Sequence, residues 1–429
     1  MKVLWIVNSL IPEIAVACNL KSGNSSGWLS GMLNGLQTYK NNLDIVIAFP
    51  FNGNRIEGKM RNIRYISFFE SKNDKKNKQT AIDLEGIISS ENPDVIHIFG
   101  TEYPHTLAAV SWAEKLGKID YTVINIQGLI SKCAEHYYAG LPVKIVHRYT
   151  LRDFIKRDNI FGQRKKFAKR GQFEIAALKK AKHVIGRTEW DKACVLQIND
   201  KLNYHTCNET LRSDFYYGTW DLDTCEPYSV FVTQCGYPLK AFHMVLKAFK
   251  DIVKKYPSAR LYTTGQSVEK LSSLKNIKHR TYYTVYLKKL IYKYNLQNNI
   301  TFLGDLDAKG MRERLLKSNV FVLPSSLENS SNSLGEAMIL GVPNVASDVG
   351  GVKTFVQHSE NGFIYPFDEP YMLTHYIDKI FSEKELAKRL SLNAQTSAKQ
   401  IFDIKTNAET LFAVYTKLSN KNGTENNEK

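Results

Sequence analysis

Short apolar runs alternate along the chain with longer segments in which apolar residues recur every three or four positions. The short runs predict buried β-strands and the longer segments predict amphipathic helices. This alternation is typical of α/β folds in which helices cover both faces of a parallel sheet. In the first half of the chain, strands are predicted over residues 3–7, 45–49, 63–68, 95–98, 122–126 and 183–186.

A second series of the same kind opens near residue 228. Its predicted strands are 230–233, 260–263, 300–303 and 320–323, with helices over 240–254, 283–294 and 309–317. We therefore predict an α/β protein with two doubly wound, Rossmann-like domains joined at the polar connector 220–227. Near the end, the Thr-x-x-Glu sequence of Thr406 and Glu409 has the form of a capping box and predicts a last amphipathic helix.

Composition narrows the class of protein. The chain has 429 residues, of which 43% are hydrophobic, so disorder throughout is excluded. We see no stretch of about 18 apolar residues, the length of a membrane-spanning helix. The six cysteines form no Cys-x-x-Cys pair, which favours a reducing, cytoplasmic setting over a zinc site or a disulfide scaffold.

The net charge of +16 is concentrated in one segment. Residues 144–182 contain thirteen Lys or Arg and three acids, a net of +10. We interpret this segment as helical and suited to peripheral docking on an anionic inner membrane surface; a merely solvated helix face is the alternative. Nucleic acid is disfavoured as a partner because no recognised binding module accompanies the charge. The apolar residues interleaved with these cations are Ile145, Tyr149, Phe154, Ile155, Phe161 and Phe167.

The most informative stretch is 321–352, FVLPSSLENSSNSLGEAMILGVPNVASDVGGV. A buried strand leads into a polar loop with Glu328, and a short helix is predicted from about Leu334. Ser333 and Glu336 have the spacing of a capping box, so Glu336 has an ordinary structural interpretation. The functional interpretation is that amides 333–335 bind an anion while Glu328 and Glu336 accept hydrogen bonds from sugar hydroxyls. A diphosphate flanked by two polyols, that is a nucleotide sugar, meets both demands.

These residues resemble the retaining glycosyltransferases of family 4, which have the two-domain GT-B fold. The resemblance rests on Glu-x7-Glu, followed by Gly-Val-Pro at 341–343 and Ser-Asp-Val-Gly-Gly at 347–351. It implies two domains facing across a cleft, with Glu336 on the donor ribose and Glu328 on the transferred sugar. It also implies that the main chain of Asn332, Ser333 and Leu334 binds the sugar and diphosphate. The implied layout is an acceptor domain over 1–222, a donor domain over 223–400, a helix crossing back over 401–418 and a disordered tail over 419–429.

The first strand-to-helix turn of the second domain carries Lys240, which the resemblance places on the donor diphosphate. By itself, a lysine at a helix start is an ordinary surface residue. Relatives usually carry an Arg a few residues earlier, where this chain has Gln234 or Cys235. Either Arg187 or Arg212 replaces that cation, or donor affinity is reduced.

In the first domain, the Gly/Ser loop 22–29, which includes Gly27, resembles the family loop that meets the donor phosphates. A flexible loop is the alternative. Past the strand end at residue 98, Glu102 and His105 are predicted to contact the acceptor, as is Gln127 after the next strand. His97, on the strand itself, is interpreted as a core histidine.

The sequence thus predicts transfer of a sugar from a nucleoside diphosphate donor to a saccharide or lipid-linked saccharide, with retention of configuration. The resemblance is to bacterial capsule and exopolysaccharide enzymes. Lys240 and Glu328 are the predicted catalytic residues. No metal or cofactor is expected, since helix amides and Lys240 answer the phosphate charge. The alternatives are a sugar-nucleotide epimerase of the same fold and a catalytically silent saccharide-binding or scaffold protein.

Overall fold

The computed structural model of the protein describes residues 1–20, 27–70, 78–265, 268 and 280–420. The chain divides into two compact units. Unit 1 consists of Met1–Ser131, Lys169–Arg212 and Phe402–Lys429, and unit 2 of Lys132–Ala168 and Ser213–Ile401.

The strands form two sheets. Those of the first sheet are β1 (Lys2–Ile6), β2 (Asp44–Phe51), β3 (Glu57–Met60), β4 (Ile63–Phe69), β5 (Val95–Phe99), β6 (Thr122–Asn125), β7 (His183–Gly186) and β8 (Asn203–Thr206). Those of the second are β9 (Glu226–Val232), β10 (Arg260–Thr263), β11 (Ile300–Phe302), β12 (Ser318–Leu323), β13 (Asn344–Ser347) and β14 (Phe363–Tyr365). The orders are β3-β4-β2-β1-β5-β6-β7-β8 and β11-β10-β9-β12-β13-β14. Every pairing is parallel except that of β3 with β4.

The helices alternate with these strands. In chain order they are α1 (Pro12–Ala17), α2 (Gly27–Tyr39), α3 (Lys78–Glu91), α4 (Pro104–Lys115), α5 (Ile130–Glu135), α6 (Val143–Val146), α7 (Leu151–Lys156), α8 (Ile160–Lys180), α9 (Glu189–Ile198), α10 (Phe242–Lys255), α11 (Tyr282–Lys293), α12 (Ala308–Leu316), α13 (Asn332–Ile339), α14 (Pro370–Ser382), α15 (Lys384–Ile401) and α16 (Ile404–Ser419). Both units therefore have the predicted doubly wound α/β architecture.

The domain bounds of the structure differ from the predicted ones. Unit 2 begins at Ser213 rather than at 223, and it also takes in Lys132–Ala168. Trp220 shows why the connector belongs there, since its indole Nε1 donates to the Ser318 carbonyl at 2.8 Å. The basic segment, predicted as one helical stretch, is divided into α6, α7 and α8.

The cores lie on the faces of the sheets. In unit 1, one face of the sheet packs on α1, α2 and α16 through residues such as Trp5, Leu29 and Leu411. The opposite face packs on α3, α4 and α8 through residues such as Ile98, Leu84 and Leu178. In unit 2, β9 and β12 are central, and helix α10 packs against both α11 and α14.

Helix α16 belongs to unit 1 and is capped differently from the prediction. It begins at Ile404, and the side chain of Asp403 accepts from the Thr406 amide at 2.7 Å. The capping box predicted for Thr406 and Glu409 was therefore wrong, because Asp403 already provides the N-cap one residue before the helix. Of the predicted tail 419–429, Ser419 still lies in α16, and residues 421–429 lie outside the described part of the chain.

A buried polar chain ties α16 to the sheet. The Trp5 indole donates to the Tyr415 hydroxyl at 2.9 Å, and that hydroxyl lies 2.6 Å from Nδ1 of His97. Burial lowers the pKa of His97 to about 3, so its ring is neutral near pH 7. In the tautomer with the proton on Nε2, Nδ1 accepts from the tyrosine hydroxyl. His97 is thus the core histidine that the sequence predicted.

Tyr415→Phe tests this chain of hydrogen bonds. We expect it to lower the free energy of unfolding by about 2 kcal/mol, because the buried Trp5 N–H loses its acceptor. Urea denaturation of the full protein measures the change. Tyr371→Phe, whose ring is 63% exposed, is the matched control and should change stability by less than about 0.5 kcal/mol. Equal stability of the two variants would contradict the assignment.

Candidate active site in unit 2

Two loops meet at one edge of the unit 2 sheet. Strands β9 and β12 are parallel neighbours, so the turn after β9 and the loop after β12 leave the sheet at the same edge. The Ser326 amide donates to the Leu239 carbonyl at 2.8 Å, and the Thr233 hydroxyl donates to the Ser333 hydroxyl at 3.3 Å. These bonds fix the positions of the two loops relative to each other.

The ion pair of Lys240 and Glu328 joins the two loops. Lys240 Nζ contacts Glu328 Oε1, and the Ser325 hydroxyl donates to the same oxygen at 2.6 Å. The side chains are 20% and 12% exposed. Burial disfavours the charge on Lys240, but the Glu328 carboxylate and the Tyr237 hydroxyl outweigh it and raise the pKa of the lysine. Lys240 therefore stays protonated and contacts Glu328, the other predicted catalytic residue.

A third loop, after β13, supports Glu328 from its backbone side. The Gly351 amide donates to the Glu328 carbonyl at 3.0 Å. A Cβ on Gly350 would lie 1.9 Å from that carbonyl oxygen, and Gly350 has φ +52°. Glycine is required at position 350 because a side chain there would meet the Glu328 carbonyl. In the sequence these glycines belong to the motif that carries the resemblance, and no separate role was predicted for them.

The start of α13 lies beside this ion-paired loop but differs from the prediction. The helix begins at Asn332 with Ser331 as its N-cap, so Glu336 is its fifth residue and the capping box predicted for Ser333 and Glu336 was wrong. The amides of Leu334 and Gly335 both donate to the Ser331 carbonyl at 3.1 Å. The amides of Asn332 and Ser333 precede the first intrahelical bond and have no acceptor within the helix. The main-chain donors are thus those of 332 and 333 rather than 333–335.

Two polar side chains lie on the same helix. Oδ1 of Asn332 is buried and has no hydrogen-bond partner among the described residues. The side chain of Glu336 is enclosed, with the residue 3% exposed. Asn332, Ser333 and Glu336 are therefore grouped at one helix start, as the sequence predicted, while their ligand contacts stay predictions.

The turn 233–240 carries Lys240 as its one basic residue. Gln234 has φ +57°, and its amide donates to the Thr264 hydroxyl at 3.0 Å. Cys235 is buried and its amide donates to the Thr264 carbonyl. The place where the resemblance expects an Arg is thus filled by residues that pack on the end of β10.

Arg187 was a candidate for the missing cation, and its surroundings argue against that role. Its guanidinium Nη1 lies 2.7 Å from Glu209 Oε2, and the two side chains are 3% and 2% exposed. Gln127, a predicted acceptor residue, donates to the other Glu209 oxygen and to Asn125 Oδ1, both at 2.6 Å. Arg187 therefore neutralises a buried carboxylate within unit 1. The sequence alone did not reveal this pairing, because the two residues are 22 positions apart.

The other two residues predicted to contact the acceptor, His105 and Glu102, lie in different surroundings. His105 is fully buried, with Nδ1 3.1 Å from Glu70 Oε2 and its ring stacked on Tyr103. Such a ring is shielded from an acceptor, so the structure does not support its predicted contact. Glu102 is 14% exposed and lies 3.6 Å from the Arg170 guanidinium, and burial raises the pKa of its carboxyl. Its acceptor role stays a prediction.

Gly27 opens α2 in unit 1. A Cβ at this position would lie 2.9 Å from Cγ of Arg212, so close packing accounts for the glycine. The preceding part of the predicted Gly/Ser loop, residues 22–26, lies outside the described residues. A donor contact by Gly27 stays a prediction.

Over the described ranges, no group of three or more His, Cys, Asp or Glu side chains is arranged to hold a metal ion. The expectation that no metal is needed stays a prediction. None of the helices in the described ranges combines the length and apolar character needed to cross a bilayer.

Comparison with known proteins finds a family match within unit 2. Residues 220–397, which include Lys240, Glu328 and Glu336, match the family Glycosyl transferases group 1. Spore coat protein SA of Bacillus subtilis is 26% identical over 182 residues, which are 42% of this chain and 46% of that protein. The chain thus spans less than half the length of the curated relatives it matches.

Solved structures share the fold over nearly the whole chain. A sucrose-phosphate synthase from Thermosynechococcus elongatus has a TM-score of 0.70 at 15% identity, over 97% of this chain and 99% of that one. Anabaena HepE in complex with UDP has a TM-score of 0.67 at 15% identity, over 97% and 100%. These likenesses confirm the predicted fold, GT-B with two parallel-sheet units.

Gly350→Ala tests the packing behind Glu328. We expect a loss of about 2 kcal/mol or more in unfolding free energy, since the new Cβ meets the Glu328 carbonyl and the backbone has positive φ. Gly236→Ala is the control, because a Cβ there meets no atom within 4 Å. Both are measured by urea denaturation. Equal midpoints for the two variants would show that the loop after β13 does not need glycine.

Arg187→Met separates a structural from a donor-binding role. We expect a loss of about 3 kcal/mol in stability, because Glu209 is left as an unpaired buried charge. Lys192→Met removes a 42% exposed cation in the same unit and should cost less than about 1 kcal/mol. Unchanged stability of Arg187→Met together with a raised donor KM would instead restore Arg187 as a phosphate ligand.

Proposed function

We propose that this protein is a retaining glycosyltransferase that moves a sugar from a nucleoside diphosphate donor to a saccharide or lipid-linked saccharide acceptor. The observation that carries the proposal is the Lys240 and Glu328 ion pair, fixed between two strand-end loops beside the start of α13. The pair lies within the stretch that matches the glycosyl transferases group 1 family.

The ion pair defines what the donor must displace. In the free protein, Lys240 and Glu328 neutralise each other where both side chains have low solvent exposure. A bound diphosphate would replace Glu328 as the partner of Lys240. It would also accept hydrogen bonds from the amides of Asn332 and Ser333 at the start of α13. Glu328 would then accept hydrogen bonds from hydroxyls of the transferred sugar. Glu336 would do the same for the ribose.

The proposed chemical step is the one that the resemblance to retaining glycosyltransferases implies. The bond between the anomeric carbon and the β-phosphate oxygen breaks, and the acceptor oxygen bonds to the same face of that carbon, so configuration is retained. The proton of the acceptor hydroxyl passes to the departing phosphate oxygen. Lys240 and the helix amides stabilise the negative charge on the leaving diphosphate, and the protein contributes mainly orientation and electrostatics.

The identity of the donor is best approached through uridine nucleotides. HepE has been solved with UDP, with UDP and glucose, and with UDP-glucose. This supports a UDP-sugar as the first donor to examine here. On the acceptor side, Glu102 and Gln127 are the remaining predicted contacts, and bacterial surface polysaccharide synthesis is the setting that we propose.

The test is release of nucleoside diphosphate from a panel of UDP-, GDP- and ADP-sugars with polysaccharide-lipid acceptors. Lys240→Met should lower kcat on the order of a hundredfold or more, because it removes charge stabilisation from the leaving group. Lys254→Met, on the exposed side of α10, is the matched control and should keep the wild-type rate. Equal rates for the two variants would overturn the assignment of Lys240.

Glu328→Gln should also abolish transfer while the fold is retained, as judged by circular dichroism and urea denaturation. Wild-type rates in this variant would contradict the site. Nucleotide binding without turnover by the wild-type protein, with every donor and acceptor, would instead support the catalytically silent alternative.

A further inference from the structure

An exposed apolar surface lies in the first segment of unit 2. Five of the fifteen large hydrophobic side chains exposed in the described residues fall between positions 143 and 155. Isolated exposed apolar residues are common, but a cluster of this density marks a contact surface. We call the five side chains the apolar knuckle: Val143 at 77%, Tyr149 at 55%, Leu151 at 64%, Phe154 at 72% and Ile155 at 72% exposure.

The knuckle is held by buried anchors. Ile145 and Val146 are buried, and α6 lies against α11. Asp153 is fully buried, and its Oδ2 accepts from the Tyr282 amide at 2.8 Å. The Thr150 hydroxyl donates to the Arg280 carbonyl at 2.7 Å. The apolar side chains therefore project from a fixed scaffold. Ile145, which the sequence analysis placed among the docking residues, belongs to that scaffold.

The charges around the knuckle have one sign at the surface. Lys144, Arg148, Lys156 and Arg157 are all exposed. The one acid between positions 143 and 157 is Asp153, which is buried and paired with Arg152 at 3.0 Å. Apolar side chains interleaved with unopposed cations complement an anionic bilayer, whose acyl region takes the former and whose phosphates take the latter.

We propose that the apolar knuckle and its four exposed cations dock unit 2 on the surface of an anionic phospholipid bilayer. A second copy of the chain fits less well, since two such surfaces would bring like charges together. The proposal goes beyond the transferase function and does not depend on it, because it concerns only residues 143–157.

Co-sedimentation of the full protein with vesicles tests the docking. We expect binding to phosphatidylcholine vesicles that contain about 30% phosphatidylglycerol, and little binding to phosphatidylcholine alone. Raising NaCl from about 0.1 to about 0.5 M should weaken it severalfold. F154S/I155S and K144Q/R148Q should each weaken binding tenfold or more, whereas Leu392→Ser, which removes a 65% exposed leucine from α15, should leave it unchanged.

A second measurement locates the contact directly. Phe154→Trp should give additional fluorescence quenching by brominated lipids, and Leu392→Trp should not. Failure of the wild-type protein to bind anionic vesicles, or equal binding by F154S/I155S, would overturn the proposal. So would a dimer in light scattering that F154S/I155S dissociates while vesicle binding persists, since the knuckle would then be an interface between copies.

Discussion

The contact between Lys240 and Glu328 is the interaction on which the candidate site depends. It requires two segments 88 positions apart in the chain to end at one point, which parallel pairing of β9 with β12 provides. Local bonds then refine the position. The Ser326 amide donates to the Leu239 carbonyl, and Gly350 allows a third loop to approach the Glu328 carbonyl. The Lys240 ammonium and the Glu328 carboxylate can both stay charged while mostly buried, because each neutralises the other until a ligand replaces one of them.

Much of the fold was predictable because strand and helix periods are local properties. The apolar run ahead of Pro324 and the stripe of α16 both predicted their elements. The strands β13 and β14, with four and three residues, were not predicted. Length alone does not explain this, because β10 and β11 are equally short and were predicted. The placement of Lys132–Ala168 in unit 2 was not predictable either. It depends on pairings such as Asp153 with the Tyr282 amide, which are separated by 129 positions.

The site was predictable to a similar degree. The motif and the resemblance that it carries made Lys240 and Glu328 candidates, and the structure places the two side chains in contact. Their catalytic role stays a prediction. Arg187 and His105 looked equally suitable as bare residue types, and only their partners Glu209 and Glu70, brought in by folding, show that both are occupied inside unit 1. The start of α13 was misplaced by two residues because Ser331 and Ser333 are both acceptable N-caps, and the sequence offers no means to choose between them.

Each unit is assembled from separate stretches of the chain, and this affects how the protein folds during synthesis. Unit 1 draws on three stretches of chain and unit 2 on two. While the chain emerges from the ribosome, Trp5 is among the first residues available, yet its acceptor Tyr415 is translated 410 positions later. The part of the first sheet that packs on α16 must therefore stay uncovered until synthesis is almost finished. A protease that cut the chain once between residues 212 and 213 would release no complete unit, because each half would retain segments that belong to the other's core.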